Sequence, residues 1–496
     1  MNTLQDPIQT RMNELHFEQA LELLNQIPIQ ERSWKDEYRT GICLGALYQW
    51  TRARAAFEKA LSLASTPSDR SEVLLRLGYY DIQTSHLDSA REKLDQAKSS
   101  LPESRYPELY FYLALLEYES GRIDQGLSQA RAALEFNSKE SIKSRCEAAA
   151  LMGDLYSAKG ELNQAVVSYQ QALSLADGYP ENWRALRKAL VLNNLADVYE
   201  QFEQYDEAGT AYQNAWKQME KVSDDQITDL NGYRLELLCS MANFQALTDH
   251  FEECRSLPEK AEPLVKTLKD PLPLYWKSRI DYIGGLNELY SEKPMVQPFE
   301  KLFEAWKLQS EFLKRSPASS KEYLGKAAYY AAYCYDPALA DGISQEDLYQ
   351  QALTEFRKCS FKDPDFFDYS IASIENELAT LKRESDPEEA MKEYHQSLND
   401  FYRITDAHPD DVEAWLSICA VLLNLMSMLD EDLVFSEGHP LLEKFESALE
   451  VLERLKDMDR PVQDALDHLL EQDLLRKKLP RALMRLYTEH RKVPLN

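Results

Sequence analysis

Residues with catalytic or metal-binding potential are spread through this 496-residue chain, but their spacing forms no catalytic or metal-binding motif. A zinc protease needs two histidines one helical turn apart, and a phosphate-binding loop needs glycines closely followed by Lys. Neither pattern occurs, and no Gly-x-Ser-x-Gly turn exposes a serine nucleophile. The eight histidines are His16, His86, His250, His395, His408, His439, His468 and His490. The sequence therefore predicts no catalytic residue, no metal site and no cofactor.

Adjacent carboxylates are the remaining candidates for acid–base chemistry, since glycosidases use two carboxyl groups. Such pairs are common here, for example Glu388-Glu389 and Asp410-Asp411. In an acidic helical protein they usually begin helices, where negative charge interacts favourably with the helix dipole. We interpret them as helix N-termini and expect that the protein is not an enzyme.

The seven cysteines are scattered, odd in number and never arranged as Cys-x-x-Cys. This distribution argues against a disulfide framework and favours reduced cysteine used as a small buried apolar residue. The N-terminal residues from Met1 to Thr10 contain no basic segment followed by an apolar core. No segment has the run of about 18 apolar residues that a membrane span requires. We therefore expect a cytoplasmic protein with no membrane partner.

A pattern of small and large residues repeats along the first half of the chain. In its clearest copy Gly153 lies in a first helix, Gly160 in a turn, and Ala165, Tyr169 and Ala172 in a second helix. Related second-helix triplets begin at Ala20, Ala53, Ala90, Gly126, Ala165, Ala208 and Cys254. Their starting positions are separated by 33, 37, 36, 39, 43 and 46 residues. Small residues allow two helices to approach closely, and each helix pair must then bury its apolar face against a neighbouring pair.

Residue type by residue type, this pattern resembles the tetratricopeptide (TPR) motif. The resemblance implies an all-α fold, a right-handed α-α superhelix (TPR-like solenoid) with degenerate C-terminal helical repeats. It also implies a concave groove, lined by the first helices, in which ligands usually bind. The resemblance is strongest over residues 10–265 and looser over 340–460.

Composition and proline positions divide the chain into four predicted segments. Residues 1–268 form a TPR-like array of about six to seven helix pairs. Residues 269–362 form an irregular helical middle segment, because prolines interrupt the register. Residues 363–475 form acidic, degenerate helical repeats, and residues 476–496 form a basic C-terminal cap.

Two groups of first-helix residues are predicted to contact a partner in the groove. The first group is Asn193, Asn194, Asp197 and Asn243. An asparagine amide both donates and accepts hydrogen bonds, so it can hold a peptide backbone of any sequence. Peptide-binding TPR proteins often have Asn at the place of Asn194. The alternative is an asparagine that bonds to the neighbouring repeat.

The second group combines arginine and tyrosine: Arg39, Arg76, Tyr79 and Tyr112. Arginines one repeat apart could hold a carboxylate, and tyrosines add apolar contact with a polar end. The alternative is that these side chains stack on one another within the fold.

Charge is unevenly distributed along the chain, whose net charge is −28. Residues 363–473 contain 8 basic and 29 acidic side chains, a net charge of −21. This region could bind a basic partner, keep the protein soluble, or receive the basic segment 476–492. An acidic chain repels phosphate backbones, so we expect no nucleic-acid partner. The oligomeric state stays open.

Three functions are compatible with these features. The favoured one is a non-catalytic scaffold or adaptor that binds a peptide or an extended segment of a protein in the TPR groove. The second is a cytosolic peptide-sensing regulator that acts on another protein. The third is an assembly or maturation factor in a larger complex, which would need a large apolar interface.

Overall fold

In a computed structural model of the chain, every regular element among the described residues is helical. The structure describes residues 6–13, 16–47, 49–136, 141–222, 230–316, 321–359, 364–429 and 439–456. The chain divides into two compact units, Met1–Ala340 and Asp341–Asn496. The predicted all-α, TPR-like fold of stacked helix pairs is confirmed.

Helices of the first unit pack mainly in consecutive pairs. They are α1 (Pro7–Asn13), α2 (Phe17–Asn25), α3 (Trp34–Ala46), α4 (Trp50–Leu63), α5 (Pro67–Gln83), α6 (Leu87–Lys98), α7 (Tyr106–Glu119), α8 (Ile123–Leu134), α9 (Ile142–Ser157), α10 (Leu162–Ala176), α11 (Glu181–Gln201), α12 (Tyr205–Met219), α13 (Leu230–Leu247), α14 (Phe251–Arg255), α15 (Leu257–Val265), α16 (Leu272–Tyr290), α17 (Pro298–Arg315) and α18 (Glu322–Tyr333). In the clearest repeats the odd-numbered helix is the first of its pair.

Close helix crossings explain the small residues of the repeat. A Cβ atom added to Gly153 in α9 would lie 2.4 Å from the Tyr169 ring in α10. Gly78 in α5 has the same relation to Leu94 in α6, at 2.6 Å. Because atoms this close overlap, only glycine allows the two helices of each pair to approach to this distance.

From α5 to α14, five successive turns between a first and a second helix each contain a residue in the left-handed backbone region. These residues are Ser85, Gly121, Gly160, Glu203 and Asp249. They follow one another at 36, 39, 43 and 46 residues, the same intervals that separate the second-helix triplets from Ala90 onward. The next N–H in each turn donates to the carbonyl five residues earlier, as His86 does to Asp81 at 2.8 Å. The predicted register is therefore confirmed as far as the weak triplet at Cys254.

The repeat becomes irregular after α13. Its second helix is broken into α14 and α15, and Pro258 at the start of α15 cannot donate a backbone hydrogen bond. Further along, Gly284 and Gly285 lie inside α16. A Cβ on Gly285 would lie 2.5 Å from Leu302 of α17, so glycine allows α16 and α17 to pack closely here.

The second unit contains α19 (Gln345–Cys359), α20 (Pro364–Lys382), α21 (Pro387–Ala407), α22 (Val412–Ser427) and α23 (Pro440–Lys456). Its core includes the fully buried Tyr394, Phe401 and Phe445. The acidic pairs begin helices, as predicted. Glu388 and Glu389 lie in the first turn of α21. Asp411 caps α22 by accepting a hydrogen bond from the Ala414 N–H at 2.9 Å.

The division into units falls in the loop between α18 and α19. The predicted middle segment, 269–362, therefore contributes α16–α18 to the first unit and α19 to the second. The predicted basic cap, 476–496, lies outside the described residues.

All seven cysteines are free thiols, and six of them are buried while Cys334 is half-buried. The prediction of buried cysteine thus holds for six of the seven. Among the helices that the structure describes, none is both long and apolar enough to cross a membrane.

Candidate partner-binding face of the first unit

Three of the four polar residues predicted on α11 and α13 join a single hydrogen-bond network. Asn193 donates through Nδ2 to Oδ2 of Asp197 at 3.3 Å. Tyr212 of α12 lies at the centre, with its hydroxyl 2.6 Å from Oδ1 of Asp197 and 2.9 Å from Oε2 of Glu200. Asn243 of α13 donates through Nδ2 to Oε1 of Glu200 at 3.1 Å. The network therefore connects α11, α12 and α13.

The two carboxyl groups at the centre of this network have pKa values raised toward neutral pH. Reduced hydration among the surrounding protein groups raises the pKa of Asp197 to about 7, although its side chain remains accessible to solvent. The pKa of Glu200 is also raised to about 7, by burial and by the Asp197 carboxylate. The Tyr212 hydroxyl contacts both carboxyl groups but has one hydrogen, so it can donate to only one of them when both are ionised. A proton on either carboxyl group supplies the second hydrogen bond and also reduces the charge repulsion.

Two amide groups beside the network retain hydrogen-bonding capacity. Asn193 is only 6% exposed, and its Oδ1 atom is buried without a hydrogen-bond partner. Asn194 is half-buried and makes no hydrogen bond to any other residue in the described parts of the chain. A buried acceptor without a partner costs about 1–3 kcal/mol, so a ligand N–H that reached Asn193 would be favourable.

The network is part of a larger cluster of carboxyl groups from three first helices, which we name the acidic face. Its members are Asp154 of α9, Asp197 and Glu200 of α11, and Glu236 of α13. The charges of Glu236 and Asp154 raise the pKa of Asp197. Asp154 accepts a hydrogen bond from Tyr169, which repeats the Asp197–Tyr212 contact one helix pair earlier.

One cation, Arg279 of α16, acts electrostatically on the acidic face. Burial raises the pKa of both Asp197 and Glu236, and the positive charge of Arg279 partly offsets this rise. Its guanidinium lies 3.9 Å from the Tyr323 ring centroid and donates to the Tyr275 hydroxyl at 3.0 Å. This aromatic environment holds the arginine in place. Asp197 and Glu236 thus share this one guanidinium as their described opposing charge.

Sequence reasoning missed part of this face. Glu200 lies one helical turn after Asp197, so the spacing alone could have indicated it. Glu236 lies two helical turns before Asn243 on α13, so helical spacing could have indicated it as well. Arg279 lies beyond the recognisable repeats, and no sequence pattern placed it near α11.

The second predicted group is only partly brought together. Arg76 of α5 donates to the Tyr112 hydroxyl of α7 at 2.6 Å, and the rings of Tyr79 and Tyr112 have centroids 4.8 Å apart. Arg39 instead forms an ion pair with Asp6 at 2.7 Å. Three of the four residues thus form one cluster, and Arg39 belongs to a different contact.

A carboxylate of the chain itself already occupies this arginine cluster. Glu108 of α7 lies 3.0 Å from Arg76 and also pairs with Arg105 at 2.6 Å. Although burial opposes it, the charges of Arg76 and Arg105 lower the pKa of Glu108 to about 2. Next to this cluster, Arg187 pairs with Glu147 at 2.7 Å. In this part of the first unit, carboxylates of the chain itself therefore already pair with the arginines.

Comparisons with known proteins concern the fold. No protein-family model matches the chain, and no curated protein matches it either. A Rap protein complexed with competence and sporulation factor is 14% identical, with a TM-score of 0.43 over 76% of this chain and 97% of that one. The human IFIT1 dimer with m7Gppp-AAAA is 15% identical, with a TM-score of 0.39 over 90% of this chain and 94% of that one. The TPR domain of P58(IPK) is 14% identical, with a TM-score of 0.21 over 77% and 98%. Similarities at this level transfer neither ligand nor partner to this chain.

Proposed function

We propose that this protein is a non-catalytic interaction scaffold whose acidic face binds an extended, basic segment of a partner protein. The observation that carries this proposal is the cluster of carboxyl groups on α11 and α13, namely Asp197, Glu200 and Glu236, where the described opposing cation of Asp197 and Glu236 is Arg279. In the adjacent arginine cluster, the chain's own Glu108 and Glu147 already pair with Arg76 and Arg187.

The face combines two kinds of recognition. The amides of Asn193 and Asn194 are suited to the peptide backbone, which every sequence shares. The carboxyl groups of Asp197 and Glu236 are suited to a Lys or Arg side chain of the partner. Because a cation favours ionised carboxyl groups, binding should release the proton held near Asp197 and Glu200.

The remaining sequence-based functions receive less support. An assembly factor with a permanent interface would need a concentrated apolar surface. In the described parts of the chain, exposed large apolar residues are spread from Ile29 to Leu381, with no helix presenting a continuous row. A peptide-sensing regulator would use the same face and differs only in what binding controls. The excess negative charge also disfavours a nucleic-acid partner.

Peptide arrays and fluorescence anisotropy with the purified full-length protein test this proposal. We expect peptides with Lys or Arg at one central position to bind best. Asp197→Asn should weaken these peptides about tenfold, the effect of losing one charge-assisted contact. The Asn193→Ala/Asn194→Ala double variant should weaken all bound peptides to a similar extent, since the amides contact the backbone.

Asp95→Asn is the matched control, because Asp95 is an exposed aspartate in the interior of α6. It should leave affinity unchanged within about twofold. Preferential binding of acidic peptides, or equal binding of basic peptides by wild type and Asp197→Asn, would show that the acidic face is not the site.

A further inference from the structure

The second unit contains a cavity of about 420 Å³, lined by residues of α19, α20 and α21 and by His408. This volume lies within the range of small-ligand sites. Ile371, Ile404 and Ala407 provide its apolar walls. Its charged lining consists of three carboxyl groups and two guanidinium groups: Asp368, Glu375, Asp400, Arg357 and Arg403.

Both guanidinium groups already have carboxylate partners. Arg357 donates to Oε1 of Glu375 at 2.7 Å, and Arg403 pairs with Asp400. Gln396 donates to the two oxygens of Asp400 at 3.0 and 3.1 Å.

Glu375 is the incompletely satisfied member of this set. It is only 3% exposed, and its Oε2 atom is buried and accepts no hydrogen bond. Desolvation, the neighbouring Asp400 carboxylate and a hydrogen bond shared by the Glu375 and Asp400 carboxyl groups raise the pKa of Glu375 to about 7. These surroundings thus disfavour the ionised form of Glu375, and a positively charged hydrogen-bond donor in the cavity would favour that form.

We propose that this cavity binds a guanidinium or ammonium group carried on a short aliphatic stem. Glu375 and Asp400 accept from the cation, and Ile371, Ile404 and Ala407 contact the stem. The cation comes either from a Lys or Arg side chain of a basic protein or from a free alkylamine. This site lies in the second unit and does not depend on the acidic face of the first.

An anionic ligand fits the same lining poorly. It would add a fourth negative charge beside the three carboxyl groups, and Arg357 and Arg403 already pair with two of them. It would also leave Oε2 of Glu375 without a donor unless that carboxyl group were protonated. Binding of an anion should therefore strengthen as the pH falls, whereas binding of a cation should strengthen as the pH rises.

Isothermal titration of the full-length protein tests the proposal with four probes. They are agmatine, a capped Gly-Gly-Arg-Gly-Gly peptide, the same peptide with citrulline in place of Arg, and succinate. We expect agmatine or the Arg peptide to bind, and the uncharged citrulline peptide to bind at least tenfold more weakly. Equal affinity of agmatine and the Arg peptide identifies a free alkyl cation as sufficient. At least tenfold tighter binding of the peptide identifies a partner's side chain.

Glu375→Gln should weaken cation binding at least tenfold, while its amide oxygen can still accept from Arg357. Glu377→Gln is the matched control, because Glu377 lies on α20 but does not line the cavity. Asp197→Asn is measured alongside, since the acidic face also attracts cations. Its affinity should stay at the wild-type level if the cavity is the site. Circular dichroism confirms that each variant is folded.

The pH dependence provides a second readout. A carboxyl group with a pKa near 7 is about one-tenth ionised at pH 6 and nine-tenths at pH 8. Affinity for agmatine should therefore rise about tenfold over that interval in wild type and stay nearly flat in Glu375→Gln. Because His408 also lines the cavity, His408→Gln is the control, and it should retain the slope.

Four results would overturn the proposal. They are no binding of agmatine or the Arg peptide at millimolar concentration, equal binding of the Arg and citrulline peptides, preferential binding of succinate, and undiminished cation binding by Glu375→Gln. A loss confined to Asp197→Asn would likewise assign the bound cation to the acidic face.

Discussion

At the scale of single residues, the contacts around the Tyr212 hydroxyl link the fold to the pKa values of two carboxyl groups. The hydroxyl contacts Asp197 and Glu200 together, and both carboxyl groups have a pKa raised to about 7. An unfolded chain would release these protons at a pH of about 4. Between these values the folded state binds protons that the unfolded state has lost.

Stability should therefore decrease as the pH rises from about 4 through 7, and this contribution should be lost above the folded pKa. Asp197→Asn removes one of the titrating groups and reduces the charge repulsion on Glu200. We expect its thermal midpoint to fall less than that of wild type between pH 5 and 8, by on the order of 2 °C. Differential scanning fluorimetry at matched ionic strength measures this difference. Asp95→Asn should follow the wild-type curve, and an identical curve for Asp197→Asn would contradict the raised pKa.

At the scale of helices, the distance between the two helices of a pair depends on a glycine where they cross. Gly153 has no room for a Cβ beside the Tyr169 ring. Gly209 of α12 is also a helix-interior glycine, but a Cβ there would make only ordinary contact with Phe244, at 3.4 Å. The same substitution should thus have opposite effects at the two positions.

Gly153→Ala should destabilise the first unit by about 1–3 kcal/mol, because α9 and α10 must separate or Tyr169 must leave its position. Gly209→Ala should stabilise it by up to about 1 kcal/mol, since alanine favours the helix more than glycine. Urea unfolding followed by circular dichroism measures both changes. Equal effects of the two substitutions would show that the helix crossing does not require glycine.

At the scale of the whole molecule, the two compact units have separate cores. Tyr169 lies in a core of the first unit, and Phe445 lies in the core of the second. We expect calorimetry to resolve two transitions. Gly153→Ala should lower one of them, and Phe445→Ala, a truncation costing about 3–5 kcal/mol, should lower the other. A single transition shifted by both variants would mean that the units unfold together.

The sequence by itself determined the all-α class, the helix pairs and the turn register as far as Asp249, together with the helix-starting role of the acidic pairs. These features depend on contacts between residues close in the chain, so small and large side chains at fixed spacing encode them. It also identified Asn193, Asp197 and Asn243 as residues of one face, because equivalent positions of successive first helices lie side by side.

Only the tertiary structure decided which charges neutralise one another. Glu108 pairs with Arg76 across 32 residues, and Glu200 bonds to Asn243 across 43 residues, in contacts that no local pattern specifies. Arg279 reaches the acidic face from a helix beyond the regular repeats, and Glu375 lacks a donor only because of how α19, α20 and α21 surround it. The strength of a charge interaction depends on distance and burial in three dimensions, and sequence spacing fixes neither once the repeat length varies.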